Sequence, residues 1–315
     1  MNPMPHGREL FSHFLSGHAM SRPVMMPFLD ALAASISGAS YAAMINAPAV
    51  WSGALMKSAE LLGADGIIAG YDPAIVAEAL GATISWREGQ PEITAPANEL
   101  SEDFLASPRL VSAIETIRRI ASGAGRRLAC IAAVVGPQTL ARQVFGIDGM
   151  ETGIKQLKPH LAAIAEALLK TQPDLLMLVE RLSPDSGGVS PGAARIYNTL
   201  RNLAAHYNVP TAVYAAGYVT DTLHQVSALK MDVYILGRDL HGHDPDLATA
   251  LALGADSIGT GIGIRLDDTA RAGAIIEAAM AACHSGHHLL LTSLETVDKG
   301  ADLQSVRSML NKTLN

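Results

Sequence analysis

The side chains that could do chemistry in this chain stand where apolar runs end. Glu180 closes the run DLLMLVE, where a carboxylate is costly among leucines and valines unless it points into a site. Asp72 follows DGIIAGY and directly precedes Pro73, so it either caps the next helix or offers a substrate a hydrogen-bond acceptor. Tyr214 lies in PTAVYAAG, a phenol followed only by methyl groups and a glycine. The segment GRDLHGHDPD gathers Asp239, His241 and His243. In an extended stretch two histidines spaced in this way point to the same side, which suits a metal, proton transfer or substrate contact. Asp244-Pro245 is equally a helix N-cap signal, and two histidines without a third ligand make a weak metal motif, so no metal is expected. Glu295 follows HLLLTSL and serves either as a base or ligand or as part of the next loop. Arg142, Arg181, Arg238 and Arg265 also fall near strand ends. Gly259, Thr260 and Gly261, in GTGIGI, read as a turn where a ligand's phosphate approaches the backbone closely. Cys130 and Cys283 read as inert packing residues, as does the cluster Met20, Met25 and Met26.

These residues need a scaffold, and the pattern supplies one. Eight short, nearly continuous apolar runs are predicted as strands at 23–28, 65–69, 128–135, 174–180, 210–215, 232–236, 255–259 and 288–292. Amphipathic helices are predicted between them at 49–62, 73–80, 107–121, 153–170, 192–205, 244–253 and 267–282. In LLGADG and LALGADS a helix closes on glycine and an aspartate opens the next strand. Eight strands alternating with helices favour an α/β fold, a (β/α)8 TIM barrel, over a doubly wound sheet. One domain over 1–315 is expected, with residues 1–20 as an N-terminal helical extension leading into the first strand. Two segments break the rhythm after strand ends: a partly extended excursion at 81–105 and a loop at 183–191. Both belong at the C-terminal mouth, where barrel enzymes work.

Composition narrows the partners. The 315 residues are 49% hydrophobic with a mean hydropathy of +0.23, enough for one large core. Net charge is 23 − 30 = −7, and aromatic residues are only 4%. Nucleic acid and anionic membranes are therefore not expected as partners. Two cysteines without CxxC spacing argue for a reducing compartment. No basic stretch followed by an apolar one opens the chain, and no apolar run is long enough to span a bilayer. A cytoplasmic protein is expected.

The order of motifs resembles the uroporphyrinogen decarboxylase superfamily. GRELFSHFLSGHAMSRPVMMPF is similar to its helix-then-strand entry, LGADGIIAGYDPAIVAEALGATISW to its second strand and following helix, and VVGPQTLARQVFG to its Gly-Pro-x-Thr-Leu turn. DLLMLVE, SPGAARIYNTL and PTAVYAAG follow in the same order. The resemblance implies a substrate-binding role for Asp72 and a retained acid at Asp239. It also sets Gln143 where the decarboxylases have a tyrosine. Their arginine-rich RQAGR segment is replaced by FLDALAASISGAS, and their late Gly-His-Gly falls near LTSLET. A polyanionic tetrapyrrole needs bidentate cations, so uroporphyrinogen is not the expected substrate.

GASYAAMINAPAVWSGALMKSAELLGADGI, which contains the candidate Asn46, is similar instead to the corrinoid-dependent methyltransferase branch. The zinc ligands of that branch, a His-x-Cys-Gly and a later Cys, fall on Tyr214, Ala216 and near Leu294. Methyl and isobutyl groups cannot ligate zinc, so zinc is not expected. The resemblance implies a methyltransferase or demethylase, with Asp72, Glu180, Asp239, Tyr214 and Glu295 as catalytic candidates. Gln143, His241, His243, Asn46 and Arg181 are the substrate-binding candidates, and Gly259, Thr260 and Gly261 the cofactor-binding ones. A corrinoid (cobalamin), a corrinoid protein as partner and a homodimer are implied by resemblance only. The alternatives are a divergent decarboxylase or lyase of a small acid or tetrapyrrole, and a non-catalytic corrinoid or tetrapyrrole binder.

Overall fold

A computed structural model describes residues 7–125, 127–182 and 188–312. Residues 183–187 of the loop expected at 183–191, and the first six residues of the N-terminal extension, lie outside the described residues. Among the described residues there are ten strands: β1 (Val24–Met25), β2 (Gly66–Ala69), β3 (Thr83–Arg87), β4 (Gln90–Ala95), β5 (Ala129–Val135), β6 (Leu175–Arg181), β7 (Thr211–Ala216), β8 (Val233–Leu236), β9 (Gly259–Ile264) and β10 (Leu289–Ser293). Eight of them form one parallel sheet in the order β1-β10-β9-β8-β7-β6-β5-β2, with helices in the connections. This is the (β/α)8 TIM barrel, nearly closed.

The seam between β1 and β2 is stitched by Asp65. Its backbone amide donates to the Met25 carbonyl (2.9 Å), and its carboxylate accepts from the Met25 amide (2.9 Å). The same carboxylate takes both terminal nitrogens of Arg22, at 2.8 and 2.7 Å, and the Gly7 amide at 2.9 Å. Arg22 and Asp65 are both buried, so the pair is satisfied internally, as a buried charge must be. Asp174 and Asp232 repeat the device, accepting from the amides of Cys130 and Thr211 on the preceding strands. An aspartate ahead of a strand therefore ties the N-terminal end of that strand to its neighbour.

The helix Arg8–Ser16 closes this N-terminal end: Arg8 pairs with Asp174 at 2.7 Å, and Phe11 and Phe14 are buried and stacked. The excursion at 81–105 is an antiparallel hairpin of β3 and β4. Gln90, at the start of β4, reaches the mouth.

One strand is displaced from its expected position. Of the run expected at 255–259, residues 255–258 are turn and bend, and β9 begins at Gly259. Gly259, Thr260 and Gly261, expected in a ligand-binding turn at the mouth, are instead buried at the start of that strand, next to Leu289 and Leu290 of β10. Thr260 donates inside the barrel wall, to the carbonyls of Tyr234 and Ala250. Among the described residues five further helices were not expected: Asp30–Ser37, Tyr41–Ile45, Pro137–Gly153, Leu223–Ser227 and Leu303–Asn311. Among the described residues no helix is long and apolar enough to cross a membrane.

Candidate active site

A cavity of 390 Å³ opens at the C-terminal mouth of the barrel. Phe28 and Asp30 reach it from just after β1, Tyr71 and Pro73 from after β2, and Thr139, Arg142 and Gln143 from the helix after β5. Val179, Glu180 and Arg181 come from β6, Tyr214 and Ala216 from β7, and Leu294 to Thr296 from just after β10. Phe28 makes the aromatic wall continuous, 5.6 Å from Tyr71 and 5.8 Å from Tyr214 between ring centroids.

Glu180 is fully committed within the protein. Its carboxylate accepts from the amides of Gln138 (3.0 Å) and Thr139 (2.6 Å), from the Tyr197 hydroxyl (3.0 Å) and from the Thr139 hydroxyl. The two amides are first-turn donors of the helix Pro137–Gly153, which no residue of that helix can satisfy. Burial pushes the Glu180 carboxyl upward while these four donors pull it down. Its position therefore fixes Thr139 and the helix that carries Arg142 and Gln143.

Asp72 is committed as well. It accepts from the Ala74 amide (2.8 Å) and the Tyr41 hydroxyl (3.0 Å) and pairs with Arg109 (2.8 Å). Both expected roles thus resolve toward the cap, and Asp72 does not line the cavity; Tyr41, which it holds, does. Asp239 accepts from the His241 and His243 amides and from the His243 ring, closing its own loop at 2.8–2.9 Å. Burial pushes Asp239 upward, but the His243 contacts outweigh it and hold the carboxyl below its usual range. The two histidine rings are exposed, 6.0 Å apart, and outside the mouth cavity. Among the described residues no three His, Cys, Asp or Glu side chains converge as a metal site. Asn46 is exposed and bonds back to its own helix at Ala42, away from the cavity.

The expected residues that do meet there are Glu180, Tyr214, Glu295, Gln143 and Arg181. Tyr214 donates to the Leu294 carbonyl at 2.7 Å. Glu295 is exposed and pairs with Arg238 at 2.6 Å. Gln143 donates to the Pro73 carbonyl at 2.9 Å. The phenols of Tyr41, Tyr71 and Tyr214 are all raised by burial, so they serve as proton-bearing donors and not as bases.

Asp30 is the group that sequence reasoning missed. It is buried, lines the cavity, and accepts from the Trp51 indole at 2.7 Å. Burial raises its pKa to about 7, against the Trp51 hydrogen bond and with help from Asp72. A carboxyl poised near neutrality is suited to exchanging a proton. The FLDALAAS stretch stood out only for its lack of arginine, because the partner that buries Asp30 lies 21 residues away.

The sequence profile of the uroporphyrinogen decarboxylase (URO-D) family matches residues 6–176, more than half of the chain. The chain belongs to the URO-D family. Among solved structures it is similar to a methyltransferase from Methanosarcina mazei, at 16% identity over 99% of this chain and 100% of that one, with a TM-score of 0.77. That similarity shows a shared fold along the whole barrel. A proposed phosphonomutase from Burkholderia cenocepacia J2315 is more distant, at 13% identity over 91% and 92% of the two chains, with a TM-score of 0.46. No curated protein matches the sequence. Among the described residues, Ala216 and Leu294 line the cavity beside Tyr214, whose phenol donates to the Leu294 carbonyl.

Proposed function

We propose that the chain is a URO-D superfamily enzyme that moves a methyl group to or from a small organic substrate bound in the mouth cavity. The observation that carries this reading is the cavity itself, 390 Å³ at the C-terminal end of a methyltransferase-like barrel, with a carboxyl poised near neutrality in its wall. Its volume suits a drug-sized or smaller molecule. The described residues lining the cavity include no His or Cys that could hold a cobalt, so a corrinoid used in the reaction would be presented at the mouth by a carrier protein. The side chains at Tyr214, Ala216 and Leu294 do not suit zinc, and the reading needs none there. Tyr41, Tyr71 and Tyr214 bound the substrate, and Asp30 holds or releases the proton that accompanies loss of a methyl group from a heteroatom. Positioning in the cavity supplies much of the acceleration.

A second reading, decarboxylation of a small acid, is favoured by Arg142 and Arg181, which face the same cavity. One experiment separates the two. Purified protein is incubated with cob(I)alamin and a panel of methoxylated and carboxylated aromatic compounds, and both methylcobalamin absorbance and released CO2 are followed. Methyl transfer supports the first reading and CO2 the second. Neither, with all compounds bound, overturns both and leaves a binding protein.

A further inference from the structure

The mouth cavity carries more positive charge than the protein uses. Arg142 is half-buried and Arg181 stands exposed at the end of β6. Among the described residues neither lies within ion-pair distance of a carboxylate, whereas Arg238, beside them at the mouth, is paired with both Asp244 and Glu295. Glu180 is the nearest buried anion, and its oxygens are occupied by the helix it caps. Burial loosens the proton of Arg142, and the like charge of Arg181 adds to this against the attraction of Glu180. Of the other carboxylates lining the cavity, Glu295 is paired with Arg238 and Asp30 is held near neutrality by burial, so the two guanidiniums face one committed carboxylate and leave an excess of about one positive charge. That complements a monoanion, and guanidiniums match carboxylate geometry.

The rest of the lining is aromatic. Phe28, Tyr71 and Tyr214 form one connected set of rings, a surface suited to a flat ring in offset or edge contact. Asp30 and Arg181 stand three strand positions apart around the barrel, after β1 and at the end of β6. They therefore enter the cavity from different sides of the mouth. One oxygen of Asp30 is held by Trp51, and the other has no partner beyond Asp30 itself among the described residues. The groups facing Asp30 from neighbouring elements are the Trp51 indole, the Tyr41 phenol and the Asp72 carboxylate with its Arg109.

We propose that the cavity binds a small aromatic monocarboxylate. Its carboxylate lies on Arg142 and Arg181, its ring lies against Phe28, Tyr71 and Tyr214, and Asp30 meets a polar substituent at the opposite end. The proposal rests on the reading that the mouth cavity is the substrate site, and holds for either reaction considered above.

The chain has two tryptophans, Trp51 and Trp86, so Trp86→Phe leaves one reporter bonded directly to Asp30. Benzoate, benzamide and cyclohexanecarboxylate are titrated into this variant, with binding read by calorimetry and located by Trp51 emission. Benzoate is expected to bind saturably and shift that emission, with benzamide at least about tenfold weaker for want of a charge. Cyclohexanecarboxylate is expected to bind less tightly than benzoate, for want of a flat ring. Arg142→Met and Arg181→Met are each expected to weaken benzoate about tenfold. Arg181, exposed at its strand end, decides the matter if Arg142→Met does not fold. Equal affinity for benzoate and benzamide, or unchanged benzoate affinity in Arg181→Met, overturns the proposal. Benzoate binding without methyl transfer or CO2 release sinks the reactions and leaves this assignment standing; turnover of uncharged compounds without benzoate binding does the reverse.

Discussion

Tyr214 donates its phenol to the backbone carbonyl of Leu294, 2.7 Å away across the barrel mouth. The ring fits because Gly237 and Gly263 flank it: a Cβ on Gly237 would lie 2.7 Å from the ring, and one on Gly263 would lie 3.0 Å from the hydroxyl. The end of β7 and the residue that follows β10 are thus joined by a neutral hydrogen bond.

Tyr214→Phe is therefore expected to cost about 1–3 kcal/mol, because the Leu294 carbonyl is left buried without its donor. Thermal denaturation checks this. Dialysis against a strong chelator is expected to leave both melting temperature and turnover unchanged, since the donors at this position do not suit a metal. Loss of activity on chelation, restored by zinc, would refute that expectation.

Glu180→Gln separates positioning from chemistry. An amide in place of the carboxylate turns a donor toward the amides of Gln138 and Thr139, which only an acceptor can satisfy. A loss of about 1–3 kcal/mol is expected. Because the helix carrying Thr139, Arg142 and Gln143 shifts with it, KM is expected to rise more than kcat falls. A collapse of kcat at unchanged KM and unchanged stability would instead make Glu180 a catalytic base.

The barrel was legible because parallel strands buried on both faces read as unbroken apolar runs, and most strand ends fall within one or two residues of expectation. β9 was not, since GTGIGI looks like a turn. Its period of two was nevertheless there: Gly259, Gly261 and Gly263 alternate with Thr260, Ile262 and Ile264, the alternation of a strand. A Cβ on Gly259 would meet Phe14, and one on Gly261 the Leu290 carbonyl at 2.3 Å. The site was legible in part. The acids at strand ends stand out in the sequence, but spacing could not say whether a carboxylate faces the cavity or its own scaffold. Asp72 turns to Arg109, Glu180 to a helix terminus and Asp239 to its own loop, while Tyr71, one residue from Asp72, lines the cavity.

The seam residue Asp65 gives a stability prediction far from the mouth. Arg22→Met removes both guanidinium bonds and leaves a buried carboxylate with only the Gly7 and Met25 amides. Breaking a buried pair in this way is expected to cost about 3–5 kcal/mol, measured by denaturant unfolding. A loss below about 1 kcal/mol would mean that β1 and β2 are held without the pair.

The pH dependence of stability follows from Asp30. Its carboxyl has a folded-state pKa of about 7, raised by burial above the ordinary aspartate value of 3.8. Between these two values the native state holds a proton that the unfolded chain has lost. The contribution of Asp30 is therefore fully present at low pH and is lost as pH rises through about 7. It amounts to a loss on the order of 4 kcal/mol by mildly alkaline pH. Asp30→Asn keeps the shape and the acceptor for Trp51 but cannot ionise. The variant is expected to match the parent near pH 4 and to exceed it in stability at pH 8, with the difference growing through the intervening range. Trp51 emission in the Trp86→Phe background is expected to titrate near pH 7 in the parent and to be flat in the double variant. A parent whose Trp51 emission titrates only near pH 4 would show Asp30 to be an ordinary ionised carboxylate, and with it the proton-exchange role would fall.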